Sequence, residues 1–287
     1  MSARDVQVST PSNASALTKR ISPTYDNVKP MERKIVLSAS RRTDLVACYP
    51  DVLVSALDKR DPESVHSVVI WTKNPRNMIA EGELKSVLKK FRQVFVHLTI
   101  TGMGGGDFEP GIPPWRETAG MIGPLVELLG SPSRIAWRFD PILEVEATSG
   151  PRTNFPLFAK LLATIGPFGI PVCKVSWVYP YRKVTARLRR RGWCLIEADP
   201  ERRSKQASEM QEMSDGYRMR VETCSMDGFP VSRCIDGEKL NEMHPTGAVC
   251  STARAKGQRL LCGCTESLDI GSYALRCRNG CIYCYAC

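Results

Sequence analysis

The stretch VHSVVIWTKNP, residues 65–75, decides the fold. Its first eight residues are almost continuously apolar and rich in β-branched side chains, and they end in lysine, asparagine and proline. Strict alternation would mark a sheet with one wet face, whereas a continuous run marks a strand covered on both faces, as in parallel sheets. Five further runs share this character: KIVLSAS (34–40), QVFVHLTIT (93–101), RIAWRFD (134–140), PVCKVSWV (171–178) and MRVETCS (219–225). Helical patterns fall between them: PDVLVSALDKR (50–60), EGELKSVLKKF (81–91), PPWRETAGMIGPLVELLG (113–130), NFPLFAKLLATIG (154–166) and DPERRSKQASEMQEMSDGYR (199–218). Prolines at the start and glycine at the end punctuate the third of these as a helix requires. Alternating β and α units imply right-handed crossovers and a parallel sheet. The expectation is an α/β chain, a partial (β/α) barrel of about six parallel strands over 33–226, with an open α/β sheet as the other arrangement of the same units. Residues 1–32 are expected to be a disordered extension, with Met31 as an alternative start, and 227–287 a cysteine-rich, cluster-binding segment packed on the barrel mouth.

In such folds ligands gather at the carboxyl ends of the strands. Those ends read SASRRTD, WTKNP, TITGMGGGDFEP and WRFDP, all polar. Arg41 and Arg42 offer paired guanidinium groups for a phosphate or carboxylate, or one of them pairs with Asp44. Lys73 stands where it would meet a substrate anion or a cofactor carboxylate, and Arg138 and Asp140 follow the fourth strand, where they could also pair with each other. The candidate catalytic residues are therefore Lys73, Arg138 and Asp140; Ser38, Arg41 and Thr101 are candidates for holding a cofactor. The glycine-rich GMGGGD fits neither a phosphate-binding loop nor a dinucleotide fingerprint and reads as a loop or lid near the site. The basic run YRKVTARLRRRG (181–192) is either a solvated helix face or a surface that tracks phosphates.

Composition narrows the function classes. No apolar run reaches the ~18 residues of a membrane-spanning helix, and the first stretch lacks the apolar region of a secretory signal. Lysine and arginine exceed aspartate and glutamate by 40 − 30 = 10, which favours anionic partners, nucleic acid among them, unless the surface is simply basic. The three histidines, His66, His97 and His244, share no ligand spacing, and no hydrolase signature is present. Of twelve cysteines, Cys48, Cys173 and Cys194 are isolated and the rest lie from Cys224 onward. With no signal peptide, that distribution points to a cytoplasmic protein with metal-binding thiolates rather than a disulfide scaffold.

The last eleven residues, CRNGCIYCYAC, hold Cys277, Cys281, Cys284 and Cys287. The first three are spaced C-x3-C-x2-C, so three thiolates can hold one [4Fe–4S] cluster and leave one iron open, much as an open coordination position marks a catalytic zinc. Zinc held by cysteines is the alternative. If Cys287 were a fourth ligand the cluster would be closed; as the terminal residue it is expected to be spare. The spacing resembles that of the radical S-adenosylmethionine superfamily, with Tyr283 in the place of the aromatic residue near the adenine. The chain as a whole resembles the domain-of-unknown-function 1848 family through LSASRRTD, WTKNP, LTITG, EPGIPP, WRFDPI, RCIDG, QRLLCGCTESLDIGSY and CRNGCIYCYA. That family looks like a radical S-adenosylmethionine group whose motif has moved to the C-terminus, and TKNP is also similar to the second-strand end of radical enzymes acting on DNA lesions.

The resemblance implies a [4Fe–4S] cluster on Cys277, Cys281 and Cys284, S-adenosyl-L-methionine as small-molecule cofactor, a reductant such as a flavodoxin or ferredoxin, and cleavage to a 5′-deoxyadenosyl radical. It names no substrate. Cys224, Cys234, Cys262 and Cys264 also match family positions; they form a candidate second site for an iron–sulfur cluster or zinc, or are buried small hydrophobes, with Cys250 as a substitute ligand. The alternative to a radical enzyme is a non-radical iron–sulfur or zinc protein acting as an electron-transfer or nucleic-acid-binding module.

Overall fold

The computed structural model describes residues 33–272 and 274–286. The extension expected over 1–32, and Cys287, lie outside the described residues. The strands are β1 (Ile35–Ala39), β2 (Val65–Thr72), β3 (Val94–Thr99), β4 (Ile135–Ile142), β5 (Glu144–Ala147), β6 (Gly150–Thr153), β7 (Val172–Trp177), β8 (Cys194–Leu195), β9 (Arg220–Thr223) and β10 (Leu268–Asp269). The helices are α1 (Leu45–Cys48), α2 (Pro50–Asp58), α3 (Arg76–Ile79), α4 (Glu83–Leu88), α5 (Trp115–Gly120), α6 (Ile122–Leu129), α7 (Leu157–Ile165), α8 (Arg182–Arg189), α9 (Pro200–Asp215) and α10 (Gly237–Glu242).

Seven strands form one sheet in the order β10-β1-β2-β3-β4-β7-β9, and every ladder in it is parallel. Among the described residues no ladder joins β9 to β10, so the sheet is not a closed barrel. From β1 to β9 each new strand joins the same advancing edge, so right-handed crossovers lay their helices on one face. Side chains alternate across that division. Leu37, Val68, Ile70, Val96, Leu98, Trp137, Phe139 and Val175 face the helices, in one core with Leu53 of α2, Leu125 of α6 and Phe158 of α7. Trp137 stacks on Phe158 at 5.1 Å between ring centroids. The other parity gives Val36, Val69, Phe95 and Ala136, which pack on Ile235, Leu240, Cys250, Cys262 and Cys264.

The segment that follows β9 contributes both a cover for the sheet and a strand within it. Residues 235–264 cover the inner face, and β10 adds a seventh strand at the free edge of β1, where Ile270 N–H donates to Ser38 O at 2.9 Å. The sequence pattern anticipates neither β10, which is two residues long, nor the small antiparallel sheet β6-β5-β8. The helix expected over 113–130 is two helices, α5 and α6, broken at Met121. Among the described residues no helix is long and apolar enough to cross a membrane.

Candidate metal centre

Two groups of thiols lie at the carboxyl side of the sheet. The first is the peptide 277–284. It is held by the loop after β1, where Thr43 Oγ1 donates to Leu275 O at 2.7 Å and Tyr49 Oη to Arg276 O at 2.8 Å. Asp44, the N-cap of α1, ties three segments together. Its Oδ1 accepts from Ala47 N at 2.9 Å, and its Oδ2 accepts from Lys73 N at 2.8 Å, Thr72 Oγ1 at 3.1 Å and Asn279 Nδ2 at 3.3 Å. Burial pushes this carboxyl up to about 6, against the hydrogen bonds that favour its ionised form. Between Cys277 and Cys281 the chain turns at Gly280, whose φ of 66° lies in the left-handed region that glycine tolerates best.

Glu109, delivered by the glycine-rich loop, is the centre of the polar set beneath this peptide. It accepts at Oε1 from Lys73 Nζ at 2.8 Å, from Thr101 Oγ1 at 2.8 Å and from the Tyr283 phenol. The loop is closed on itself through Gly105 N–H to Glu109 O, and it reaches the cysteine peptide through Gly111 N–H to Asn279 O at 3.1 Å. Of the loop or lid that the sequence suggested, the structure shows a loop packed on the cysteine peptide. Burial, then Glu109 and Cys281, hold the Tyr283 phenol well above its ordinary value. Cys281 is buried with Ile282, Tyr283, Val184 and Leu188, and that burial pushes its thiol up to about 12, with Lys73 acting the other way. Cys277 and Cys284 are partly exposed.

The basic run proves to be an amphipathic helix packed on this peptide. Val184 and Leu188 of α8 join its apolar cluster, while the Arg187 guanidinium donates to Cys281 O at 3.3 Å and to Cys284 O.

The second group joins three segments. Cys224 follows β9, Cys234 precedes α10, and Cys262 and Cys264 come from the C-x-C. Cys224 Sγ lies 3.6 Å from Cys234 Sγ. Hydrogen bonds with Cys224 and then Cys264 hold the Cys234 thiol well below its ordinary value. The bond with Cys264 does the same for Cys262, to about 6. Arg138 Nη1 donates to Cys234 Sγ at 3.2 Å and also pairs with Asp140, which accepts from Ser176. Cys250 turns away, its thiol directed to Gly237 O.

The candidate residues thus divide. Lys73, Thr101 and Tyr283 share the first centre with Cys277, Cys281 and Cys284. Arg138, Asp140 and Arg41 belong with the second, since Arg41 acts on Cys262 and Cys264 while stacking over Trp71 at 5.4 Å. Ser38 faces the inner side, and its buried hydroxyl has no partner among the described residues. Among those residues no three His, Cys, Asp or Glu side chains converge tightly enough to hold a single metal ion.

A model of the family described as Domain of unknown function (DUF1848) matches residues 58–286. The chain belongs to that family. No curated protein matches it. The family match spans both thiol groups but not the segment that carries Arg41, Asp44 and Cys48.

Sequence reasoning missed Glu109, Asn279, Arg187 and the clamping role of Asp44. It also set Cys48 aside, although the Cys48 thiol bonds with Cys277, accepts from Arg278 N at 3.4 Å and donates to Asn279 Oδ1 at 3.5 Å. That bond with Cys277, then burial, holds the Cys48 thiol far above its ordinary value. Only the EPG that follows GMGGGD hinted at Glu109; nothing in the local pattern pointed to Cys48.

Proposed function

We propose that this protein is an iron–sulfur enzyme of the radical S-adenosylmethionine type, built on a partial (β/α) barrel whose cluster peptide comes from the C-terminal end. The observation that carries the reading is the seating of 277–284 at the carboxyl ends of β1, β2 and β3, with Tyr283 bonded to Glu109 beside Lys73 and Thr101. The donor set suits the group. Three thiols at C-x3-C-x2-C are a donor set for three irons of a cube, with the fourth left open. When bound, the cluster would supply one electron to S-adenosyl-L-methionine, giving methionine and a 5′-deoxyadenosyl radical.

The chain's own residues prepare that site. Glu109 fixes the Tyr283 ring, and the Lys73 ammonium lies 5.7 Å from its centroid. Arg187 donates to the carbonyls of Cys281 and Cys284, and burial of Cys281 limits water. The positive balance, with Arg42 and Arg259 beside Tyr285, favours an anionic substrate, with nucleic acid the candidate to test first. A flavodoxin or ferredoxin is the class of electron donor this chemistry needs.

Cys48 favours a second reading. Were its thiolate to take the open iron, four cysteines would close the cluster and the protein would only pass electrons. One experiment separates the two. Anaerobically reconstituted protein is reduced with S-adenosyl-L-methionine, and 5′-deoxyadenosine is measured in the wild type and in Cys48→Ser. Product in both supports the radical reading. Iron loading without product in the wild type, together with loss of cluster in Cys48→Ser, supports the closed cluster.

A further inference from the structure

Beyond β7 the chain runs VYPY (178–181) and then into α8. Tyr179 and Tyr181 are joined by Pro180, which stiffens the backbone that carries both rings. Their centroids lie 4.7 Å apart, and Tyr181 lies 5.6 Å from Tyr285 of the cysteine peptide. Arg42 approaches the Tyr285 ring at 6.0 Å. The outer end of this row is open, since Tyr179 is 62% exposed and so offers ring surface that the fold itself does not cover.

The helix that follows supplies the charge. From Tyr179 to Trp193 there are six lysines and arginines and no aspartate or glutamate. At about 3.6 residues per turn, Arg182, Lys183, Arg189 and Arg190 share one face, opposite the buried Val184 and Leu188, and all four are exposed. None of the four makes an ion pair among the described residues. Arg187, on the flank of the helix, turns to the carbonyls of Cys281 and Cys284, which ties this face to the candidate centre. Past the helix, Trp193 takes Arg152 at 5.0 Å and Arg191 at 5.8 Å over its ring. Aromatic rings therefore stand at both ends of a cationic face.

The two features together select the partner. A line of unpaired cations is suited to anions repeated along a line, as a polynucleotide backbone presents them. A duplex would satisfy the cations, but its bases are stacked on one another and give Tyr179 nothing to receive. An acidic peptide would supply charge without a flat π-surface. A single strand offers both, phosphates for the cations and an open base face for the ring. We propose that this surface binds single-stranded nucleic acid, with a base stacked on Tyr179 and backbone phosphates along Arg182, Lys183, Arg189 and Arg190. The strand then reaches the candidate site from the α8 side. This deepens the radical reading by naming its substrate class; what is done to the strand rests on that reading, whereas the binding of the strand does not.

The test is fluorescence anisotropy on the anaerobically reconstituted protein, with labelled oligo(dT), oligo(rU) and a duplex of the same length, over a range of salt. The expectation is that at least one single strand binds about tenfold or more tightly than the duplex; the preference between the two strands tells DNA from RNA. Tyr179→Ala should weaken single-strand binding about tenfold, Tyr179→Trp should keep it, and neither should alter duplex binding. Arg189→Ala/Arg190→Ala should lower the slope of log affinity against log salt by about 1.4, two phosphate contacts at about 0.7 each. Circular dichroism checks the fold of each variant, and the wild-type ratio of single strand to duplex decides without any of them. Duplex bound as tightly as either strand overturns the proposal, and so does folded Tyr179→Ala that binds like the wild type. Absence of binding at low salt overturns it as well and leaves the face to an acidic protein or an anionic lipid surface. 5′-Deoxyadenosine measured on the same samples keeps the two failures apart. Its release without strand binding overturns this proposal and leaves the radical reading; strand binding without its release does the reverse.

Discussion

The two faces of the sheet are made from the same strands and solve different problems. Toward the helices the strands present Leu37, Val68, Val96, Trp137, Phe139 and Val175, and stability there is a matter of volume and fit. Toward the inner side the same strands present His97, Arg138, Lys174 and Ser176 among the apolar residues, and each of these side chains has a partner. Lys174 donates to Arg233 O and pairs with Glu222; His97 bonds to Cys234 O; Arg138 holds Cys234 and Asp140. One face therefore anchors the fold and is sensitive to changes of volume and shape. The other is covered by a segment whose position depends on matched polar bonds, and Cys262 and Cys264 belong to that segment.

The largest expected effect tests the helix face. Trp137→Ala removes a fully buried ring stacked on Phe158 and should cost about 3–5 kcal/mol in urea unfolding; a loss below about 1 kcal/mol would mean that this face is not the anchor. The polar counterpart is Glu109→Leu, which leaves the Lys73 ammonium and the Tyr283 phenol unpaired. It should cost about 3 kcal/mol, and the double variant Glu109→Leu/Lys73→Met should recover much of that. If the double variant is worse than the single one, packing rather than pairing governs the cradle.

Acidification sharpens the comparison further. His66 is fully buried between Ser67 and Ala248 O, and burial lowers it to about 4, with His244 and Lys34 opposing its charge as well. The unfolded chain then takes up the proton first, so this contribution is present above pH ~6.5 and is lost as pH falls toward 4. The loss should reach up to about 3 kcal/mol, and His66→Gln should flatten the profile of urea midpoints over that window. The smallest effect belongs to α8. Arg187→Ala should cost about 1 kcal/mol by freeing the carbonyls of Cys281 and Cys284 and should speed iron loss to a chelator. Arg189→Ala, exposed on the same helix, should change neither by more than about 0.5 kcal/mol or twofold.

Several parts of the molecule were legible from local pattern. VHSVVIWT gave β2 at its observed bounds, and the six long apolar runs gave the six longer strands of the parallel sheet, because burial on both faces leaves a continuous signature. The strand-end residues Lys73 and Thr101 were singled out for the same reason, since polarity resumes where the strand leaves the core. The break between α5 and α6, the two-residue β10 and the β6-β5-β8 sheet left no such trace, being too short for a period to register.

What the sequence by itself determined is the alternation of strands and helices and the close spacing of Cys277, Cys281 and Cys284, since both depend on neighbours within a few residues. What only the tertiary structure decided is which distant groups meet. Glu109 joins Lys73 to Tyr283, Asp44 joins Lys73 to Asn279, Arg187 reaches the Cys281 carbonyl, and Arg138 turns to Cys234 rather than to the C-x3-C-x2-C peptide. Residues 235–264 cover the inner face because that face carries both apolar surface to bury and polar groups to satisfy, and only chain returning from far along the sequence supplies the matching groups.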